Sequence, residues 1–191
     1  MTGRTHDLAA FTALNLALVN SSLPQMNFAT AAAAFGITFI GGLAPDLDQP
    51  TAELWRRIPG GSFVSRMIAP ILGSHRMISH SVLGIFLAGF LLSQLLHSLS
   101  SIILIDMNII WQTFMIGFIS HILIDMLNKE GVPLLFPFPW EFNLIPIKKL
   151  RIKTGGFAEK TIIYPLLLLL NGYIFITNYD YYLNILKQII S

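Results

Sequence analysis

The sequence predicts an all-α fold: a polytopic membrane helix bundle with about five transmembrane helices and short interfacial helices in its connections. Of the 191 residues, 54% are hydrophobic and only 12% are charged, whereas soluble domains carry roughly 25% charged residues. Mean hydropathy is +0.66. Several apolar runs also approach the roughly 20 residues that a helix needs to cross a bilayer. We therefore expect one integral-membrane helical domain covering residues 1–191.

Five apolar runs are candidate spans. They cover about residues 8–23, 28–44, 80–105, 109–127 and 161–177. The N-terminal segment lacks the features of a cleaved signal, so we expect the first run to remain as a membrane anchor. The second run is rich in Ala and Gly, which favours close helix packing. The stretch 179–191 is too short for a sixth span and fits an interfacial helix.

Two long connections separate these runs. Residues 49–79 are punctuated by Pro and Gly, and residues 63–72 within them fit a short interfacial helix. In residues 129–160, prolines argue against a spanning helix. The aromatic residues from Phe136 to Trp140 favour an interfacial anchor or a re-entrant loop over a substrate gate.

The distribution of positive charge predicts the orientation. With five spans, the N-terminus and the connections 49–79 and 129–160 lie on one side, and they hold every Lys and Arg except Lys187. The positive-inside rule places that side in the cytoplasm. We expect an integral protein of a bacterial or archaeal cytoplasmic membrane, with these loops and the N-terminus on the cytoplasmic side.

Histidines and acidic residues lie at the same end of every run. With alternating spans they meet on one face, which predicts a metal site. The members are His6, Asp46, Asp48, His75, His80, His121, Asp125 and Glu159. Because the chain has no cysteine, imidazole and carboxylate must supply the ligands, a set that suits zinc, manganese or iron.

Two pairs carry most of this prediction. His121 and Asp125 stand four residues apart, on one face of a helix and inside an apolar run, where ionisable groups are costly without a partner or function. A structural His–Asp hydrogen bond is the alternative. Asp46 and Asp48 follow Pro45 in a turn and can aim two carboxylates at one cation, unless they belong to an ordinary loop.

The remaining candidates are predicted as site residues only because alternating spans would bring them to the same face as these two pairs. We expect His75 in the approach loop and His80 at the start of the third helix, with Ser79 as a candidate N-cap. Arg76 could hold a phosphate, since its fork matches phosphate oxygens, or act as an interfacial cation. Glu159 could be a ligand, a general base or a carboxylate favoured by the helix dipole. His97 lies too far along its helix to join them.

The ordered motifs resemble a known family. They are Thr-His near the N-terminus, Pro-Asp-Leu-Asp, His-Arg-x-x-Ser-His-Ser, His-x-x-x-Asp and Gly-Val-Pro-Leu-Leu before a Pro-rich stretch. Together they resemble the YdjM-type family, described as membrane-bound metal-dependent hydrolases. That family looks like a distant membrane relative of zinc-dependent phospholipase C and P1-type nucleases. The likeness implies a ligand set of His6, Asp46, Asp48, His75, His80, His121 and Asp125, with Glu159 as a possible addition.

The expected activity is metal-dependent hydrolysis in the membrane. One to three divalent ions, zinc first, would activate water, with Asp48 or Glu159 as base and Arg76 orienting a phosphate. The expected substrate is a phosphoester of a membrane lipid or lipid-linked molecule. No nucleic-acid module is visible. The alternative is a metal or proton transporter, or a metal sensor, without hydrolytic activity. Because the far halves of the runs are mostly apolar, a path through the membrane is disfavoured.

Overall fold

The computed structural model of the chain describes residues 1–21, 26–68 and 77–190. Across these ranges the chain forms eight α-helices, and its only β-type pairing consists of two isolated bridges. The predicted all-α fold is confirmed. The helices are α1 (Gly3–Asn20), α2 (Phe28–Leu43), α3 (Glu53–Arg57), α4 (Gly61–Ile68), α5 (Val82–Leu99), α6 (Met107–Asp125), α7 (Tyr164–Thr177) and α8 (Tyr179–Ile190).

Four helical segments are long and apolar enough to cross a membrane. They are Phe28–Asp48, Val82–Leu99, Met107–Asp125 and Glu159–Thr177. The first includes a 3-10 turn, Ala44–Asp48, and the last begins with a π-helical turn, Glu159–Ile163. They correspond to the second to fifth predicted runs.

The first predicted run differs from the other four. Helix α1 begins at Gly3, earlier than expected, and its first turns carry Arg4, His6 and Asp7. These charges and two asparagines lower its hydropathy, so it is not among the four apolar segments. The helix packs instead against α2, α6 and α7, with His6 and Asn15 buried. An enclosed helix tolerates polar residues that a lipid-facing helix does not.

Helices α2 and α6 form the closest contact in the bundle. A Cβ atom on Gly117 would lie 2.1 Å from the carbonyl oxygen of Thr38, and one on Gly41 would lie 2.2 Å from that of Phe114. The two backbones therefore touch, as small residues allow in membrane bundles. This contact holds the end of α2 beside the last two turns of α6.

The outer helices expose apolar faces. In α5, Phe86, Phe90 and Leu91 are more than half exposed, and in α7 so are Leu169 and Ile176. In water, patches of this size would be unfavourable. In a bilayer they are the surfaces that contact lipid, so α5 and α7 form part of the periphery.

The helix start near His80 differs from the prediction. Helix α5 begins at Val82, and its N-cap is Ser81, whose hydroxyl accepts a hydrogen bond from the Gly84 amide at 3.1 Å. Ser79 does not cap the helix, and His80 lies in the turn before it. His80 is thus held by loop contacts rather than by the helix.

The two connections differ: the described part of 49–79 contains α3 and α4, whereas 129–160 is mostly irregular. Helix α4 coincides with the first part of the interfacial helix expected at 63–72, and residues 69–72 lie outside the described residues. In 129–160, Val132 pairs with Phe142, while the rings of Phe138 and Trp140 stack with centroids 5.4 Å apart and are more than half exposed. The interfacial position of these aromatic rings stays a prediction.

Helix α8 returns along the end of α1 that lies away from His6. The hydroxyl of Tyr181 donates to the carbonyl of Leu18, and that of Tyr182 donates to Asn15 at 3.3 Å. The predicted short C-terminal helix is present. Its contacts close the end of the bundle that lies opposite His6.

Candidate metal centre

Five of the predicted ligands converge at one end of the bundle. They are His6 of α1, Asp46 of the turn after α2, His80 of the turn before α5, and His121 and Asp125 of α6. The three imidazoles and Asp125 are fully buried. Asp46 is the accessible member, with 24% of its side chain exposed. Residues separated by more than a hundred positions therefore share one pocket with a single partly open side.

Donor atoms of four residues face one another at short range. The Nε2 atoms of His80 and His121 are 3.2 Å apart. Asp46 Oδ1 lies 3.6 Å from the first and 3.5 Å from the second. Asp125 Oδ2 lies 3.8 and 3.9 Å from the same two nitrogens. The centre of this group is therefore surrounded by imidazole nitrogens and carboxylate oxygens.

The backbone of α2 fixes the tautomer of His121. Its Nδ1 lies 2.7 Å from the carbonyl oxygen of Gly42, which can only accept a hydrogen bond. Gly42 is in the last turn of α2, where carbonyls lack helical partners. His121 therefore carries its proton on Nδ1, and the lone pair on Nε2 points into the cluster.

A short chain of side chains fixes His80 in the same way. The hydroxyl of Ser79 donates to Asp48 Oδ2 at 2.7 Å and lies 2.9 Å from His80 Nδ1. Since the hydroxyl proton is used on Asp48, Ser79 accepts the Nδ1 proton of His80. The Nε2 lone pair of His80 is thus also directed inward. Histidine ligands of metals are commonly oriented through such outer partners.

Two lone pairs at 3.2 Å repel each other. A shared proton or a bound cation must lie between them, and the adjoining carboxylates of Asp46 and Asp125 favour a positive charge there. The arrangement therefore differs from a simple His–Asp hydrogen bond, and these four residues could hold a metal ion.

His6 extends the cluster. Its ring stacks on that of His121 with centroids 3.7 Å apart and 7° between the planes. Neither ring nitrogen of His6 has a hydrogen-bond partner in the described structure, although both are buried. A buried polar atom without a partner is costly. His6 Nε2 lies 3.4 Å from Asp125 Oδ1, so a cation placed there would satisfy both groups.

Asp125 presents one oxygen to each half of the cluster. Oδ2 faces His80 and His121, while Oδ1 faces His6. Oδ1 also accepts a hydrogen bond from Asn128 at 2.6 Å and contacts the backbone nitrogen of Met1. A carboxylate with this geometry can bridge two cations.

The donor set fits a zinc-like ion. Donors at about 2.0–2.2 Å around a tetrahedral zinc lie roughly 3.2–3.6 Å from one another. The five separations given above run from 3.2 to 3.9 Å, so the shorter ones match this geometry and the longest two exceed it by 0.2–0.3 Å. Two overlapping groups, His6–Asp46–His121 and His80–His121–Asp125, each keep their donor atoms within 4.8 Å. Imidazole and carboxylate ligands suit Zn, Mn and Fe, and the two groups allow one or two ions.

Glu159 lies outside both groups. Its Oε1 accepts hydrogen bonds from the amide and hydroxyl of Thr2 and the hydroxyl of Thr5, at 2.6–2.7 Å. Its Oε2 accepts one from the Gly155 amide at 2.7 Å. These four bonds tie the start of α1 to the start of the last span. They place Glu159 as a support for the segment that carries His6.

The other predicted residues have different outcomes. Asp48 is buried and reaches the cluster through Ser79, which places it one step away from the ligand atoms. His75 and Arg76 lie outside the described residues, so their predicted roles as ligand and phosphate contact stay predictions.

Sequence reasoning did not identify Gly42, Ser79 or Asn128 as contributors. Their roles depend on a carbonyl, a hydroxyl and an amide whose directions are set by packing. The position of Ser79 beside His80, in a polar run before an apolar helix, was the one available signal. From the sequence alone, Ser79 fits the role of a helix cap.

An ion pair joins α3 to α1 beside the cluster. Arg57 donates to both oxygens of Asp7 at 3.2 and 2.6 Å. Hydrogen bonding to Asp7 raises the pKa of the Arg57 guanidinium above its ordinary value. The bidentate pair joins α3 to α1 one residue after His6 and limits the movement of both elements.

Comparison with known proteins adds a family relationship. The sequence profile of the family described as YdjM inner membrane protein matches residues 1–182. The chain is 37% identical over 102 residues to the inner membrane protein YdjM of Escherichia coli strain K12, and equally to that of Shigella flexneri. These alignments cover 53% of this chain and 48% of each relative, so the chain spans about half the length of these curated relatives.

A third relative aligns over more of its length. The protein YvsG of Bacillus subtilis strain 168 is 27% identical over 163 residues, which is 85% of this chain and 88% of that protein. No solved structure matches the chain.

Proposed function

Since the chain belongs to the YdjM family of inner membrane proteins, we propose that it is an integral-membrane metal-dependent hydrolase. The proposed reaction is hydrolysis of a phosphoester in a membrane lipid or lipid-linked substrate. Membership of the family and the four apolar helices place the chain in the inner membrane. The cytoplasmic position of the cluster, inferred from the distribution of Lys and Arg, is part of the proposal.

The buried cluster carries this proposal. The Nε2 atoms of His80 and His121 face each other at 3.2 Å beside two carboxylates, and the ring of His6 lacks a hydrogen-bond partner in the described structure. A bound cation would compensate the carboxylate charge and use these nitrogen lone pairs. Ionisable side chains at this depth are costly unless they are paired or functional. Zinc, manganese or iron fits the ligand types.

The protein's own residues prepare the site for hydrolysis. His80, His121, Asp46, Asp125 and His6 would hold one or two ions. A divalent ion supplies polarisation of a phosphoryl oxygen and acidifies water. The surrounding helices exclude bulk water from the three buried imidazoles, which strengthens electrostatic interactions inside the pocket.

Asp46 is placed to meet the substrate. It is the partly exposed member, and its Oδ1 faces the imidazoles, so its Oδ2 is available to accept a proton from water. Asp48 is engaged with Ser79 and Glu159 with four donors, whereas Asp46, itself one of the proposed ligands, would position water at the open side of the cluster. Asp48 instead orients His80 through Ser79.

The test removes ligands and follows metal and turnover together. His121→Ala and Asp125→Ala should each lower bound metal to background in purified protein, as measured by elemental analysis. Phospholipid hydrolysis should fall by at least about a hundredfold, the upper end of the loss seen when only an outer partner is changed. His97→Ala is the matched control, because His97 is exposed on α5 outside the cluster. Normal turnover in the cluster variants would reject the mechanism.

A second candidate function, metal or proton transport, is favoured by one observation. Buried polar groups continue along α1 and α7 beyond the cluster: Asn15 donates to Asn171 at 2.7 Å, and Asn171 donates to Thr12 at 2.7 Å. This polar row was not expected from the mostly apolar far halves of the spans. Its members satisfy one another, so they lock α1 to α7. Metal flux in proteoliposomes without hydrolysis would favour transport.

A further inference from the structure

A basic cavity lies beside the start of α1, separate from the ligand atoms. It has a volume of about 560 Å³ and is bordered by α1, α3 and the start of the last span. Three cations line it: Arg4, Arg56 and Lys160. Among the described residues that line it, Glu53 is the one carboxylate. The lining therefore carries an excess of positive charge.

The charge of this cavity is largely unsatisfied. Glu53 is offset by Arg56 at 3.7 Å and by Arg57 at 3.5 Å. Across the described residues, the side chains of Arg4 and Lys160 have no hydrogen-bond or ion-pair partner. Both are exposed. An anion entering the cavity would meet cations that are not neutralised by the protein.

An apolar groove continues from the same cavity. It has a volume of about 330 Å³ and shares Arg4 and Tyr164 with the cavity. Its apolar lining comes from α1 and α2 and includes Phe11, Phe35 and Phe39. The groove also carries Asp7, whose charge is paired with Arg57. The groove and the cavity thus adjoin at Arg4 and Tyr164, with a basic end and an aromatic end.

The two ends lie at different membrane depths. Along α1, Phe11 is seven residues beyond Arg4, which is roughly 10 Å deeper on a helix that rises about 1.5 Å per residue. Helix α2 runs the opposite way, so Phe39 is nearer the cluster end and Phe35 is deeper. The order from cations to aromatic rings follows the order from head group to acyl chain in a phospholipid.

We propose that this surface binds one anionic phospholipid, with its phosphate at Arg4, Arg56 and Lys160 and an acyl chain along Phe11, Phe35 and Phe39. The binding site itself is independent of the proposed function. The inference rests on that function only in taking the lipid held here, two residues from His6, as the one whose head group then enters the cluster. Guanidinium groups match phosphate oxygens in two-pronged contacts, and Lys adds a point charge. A zwitterionic head group would place its own cation against the arginines, and a water-soluble phosphate would leave the groove unfilled.

Binding can be measured without turnover. Purified protein in detergent is titrated with phosphatidate, phosphatidylcholine and glycerol 3-phosphate, and bound ligand is counted by native mass spectrometry. Phosphatidate should bind at least about tenfold more tightly than phosphatidylcholine, the effect of one strong charged hydrogen bond. It should also bind at least about tenfold more tightly than glycerol 3-phosphate, which lacks the acyl chain that fills the apolar groove. Equal binding of glycerol 3-phosphate or of phosphatidylcholine would overturn the proposal.

Substitutions locate the bound lipid. Arg4→Gln and Lys160→Gln should each weaken phosphatidate binding by about tenfold, whereas Arg4→Lys should retain most of it. Phe39→Ala should weaken phosphatidate without changing glycerol 3-phosphate. Arg66→Gln is the control, because Arg66 is an exposed cation on α4 that lines neither the cavity nor the groove. Unchanged binding in both Gln variants would overturn the proposal.

Metal analysis of the same samples separates this inference from the proposed function. Selective phosphatidate binding in a protein without metal or hydrolysis would retain the lipid site and reject the hydrolase. Metal-dependent hydrolysis that is unaffected by the Arg4 and Lys160 substitutions would retain the hydrolase and reject this lipid site.

Discussion

At the scale of single residues, the hydroxyl of Ser79 controls the direction of a buried lone pair. It lies between Asp48 and His80, at 2.7 and 2.9 Å. Its proton goes to the carboxylate, so it must accept from the imidazole Nδ1. This chain orients the nitrogen that faces His121, although Ser79 itself touches no atom of the central donor group.

Removal of that hydroxyl should weaken cation binding without removing a ligand. Ser79→Ala should lower metal affinity by about 10–100-fold, the usual loss when an outer partner of a histidine ligand is removed. The measurement is competition with a chelator of known affinity. Ser79→Thr keeps a hydroxyl and should restore most of the affinity.

Ser98→Ala provides the matched control for this effect. Ser98 is an exposed residue of α5 whose hydroxyl bonds only to its own helix, at Gln94. Its substitution should leave the affinity unchanged. Equal affinity in Ser79→Ala and Ser98→Ala would contradict the orienting role.

Part of the cluster was predictable at this scale. His121 and Asp125 are separated by one helical turn, so their common face follows from helix geometry alone. The candidacy of Asp46 follows from its position directly after Pro45, in a turn at the end of an apolar run. The contact of Ser79 with His80 did not follow, because it depends on the path of a loop that no short-range rule fixes. For Glu159 the sequence allows a ligand, a general base or a carboxylate favoured by the helix dipole, and it gives no sign of the partners Thr2 and Thr5, which lie more than 150 positions away.

At the scale of helices, the touching backbones of α2 and α6 position the site. The carbonyl oxygen of Gly42, at the end of α2, accepts a hydrogen bond from Nδ1 of His121 in α6 at 2.7 Å. That distance requires the close crossing at Gly41 and Gly117. A wider spacing would leave the Gly42 carbonyl without its imidazole partner and would let the His121 ring rotate.

A methyl group at the crossing should separate the helices. In Gly117→Ala, the new Cβ would lie 2.1 Å from the Thr38 carbonyl, so the backbones must move apart. We expect a loss of about 1–3 kcal/mol in stability from overpacking, measured as a lower thermal midpoint in detergent. Bound metal should fall as well, because His121 is one turn further along α6.

Gly36→Ala is the matched control for the crossing. Gly36 belongs to α2, but a Cβ atom there meets nothing within 4 Å. This substitution should be neutral or slightly stabilising, since Ala favours helix over Gly. A similar loss in both variants would show that helix propensity, rather than the close crossing, determines the effect.

Helix identity was more predictable than helix limits. The apolar runs identified α2, α5, α6 and α7, because length and hydropathy report directly on a bilayer span. The start of α1 was missed, since its polar first turns face other helices instead of lipid. The start of α5 was placed too early because Ser79 and Ser81 are equally good caps by type, and only the contact of Ser79 with Asp48 distinguishes them.

At the scale of the whole molecule, the proposed lipid surface and the cluster share one end of the bundle. Arg4 lies two residues before His6 on α1, and Lys160 directly follows Glu159 at the start of the last span. If the positive-inside rule holds, that end faces the cytoplasm. Cytoplasmic enzymes that make the substrate or consume the product would then reach this end of the bundle without crossing the membrane.

The absence of cysteine allows a direct test of this orientation. Single cysteines at exposed positions, Arg66→Cys in α4 and Lys153→Cys before the last span, should lie on the cytoplasmic side. Asn108→Cys, in the first turn of α6, should lie on the opposite side. On spheroplasts, a membrane-impermeant maleimide should label only the Asn108 variant, and permeabilisation should expose the other two. The reverse pattern would place the cluster outside the cytoplasm, and labelling of all three in intact spheroplasts would contradict the alternation of α5 and α6 across the membrane.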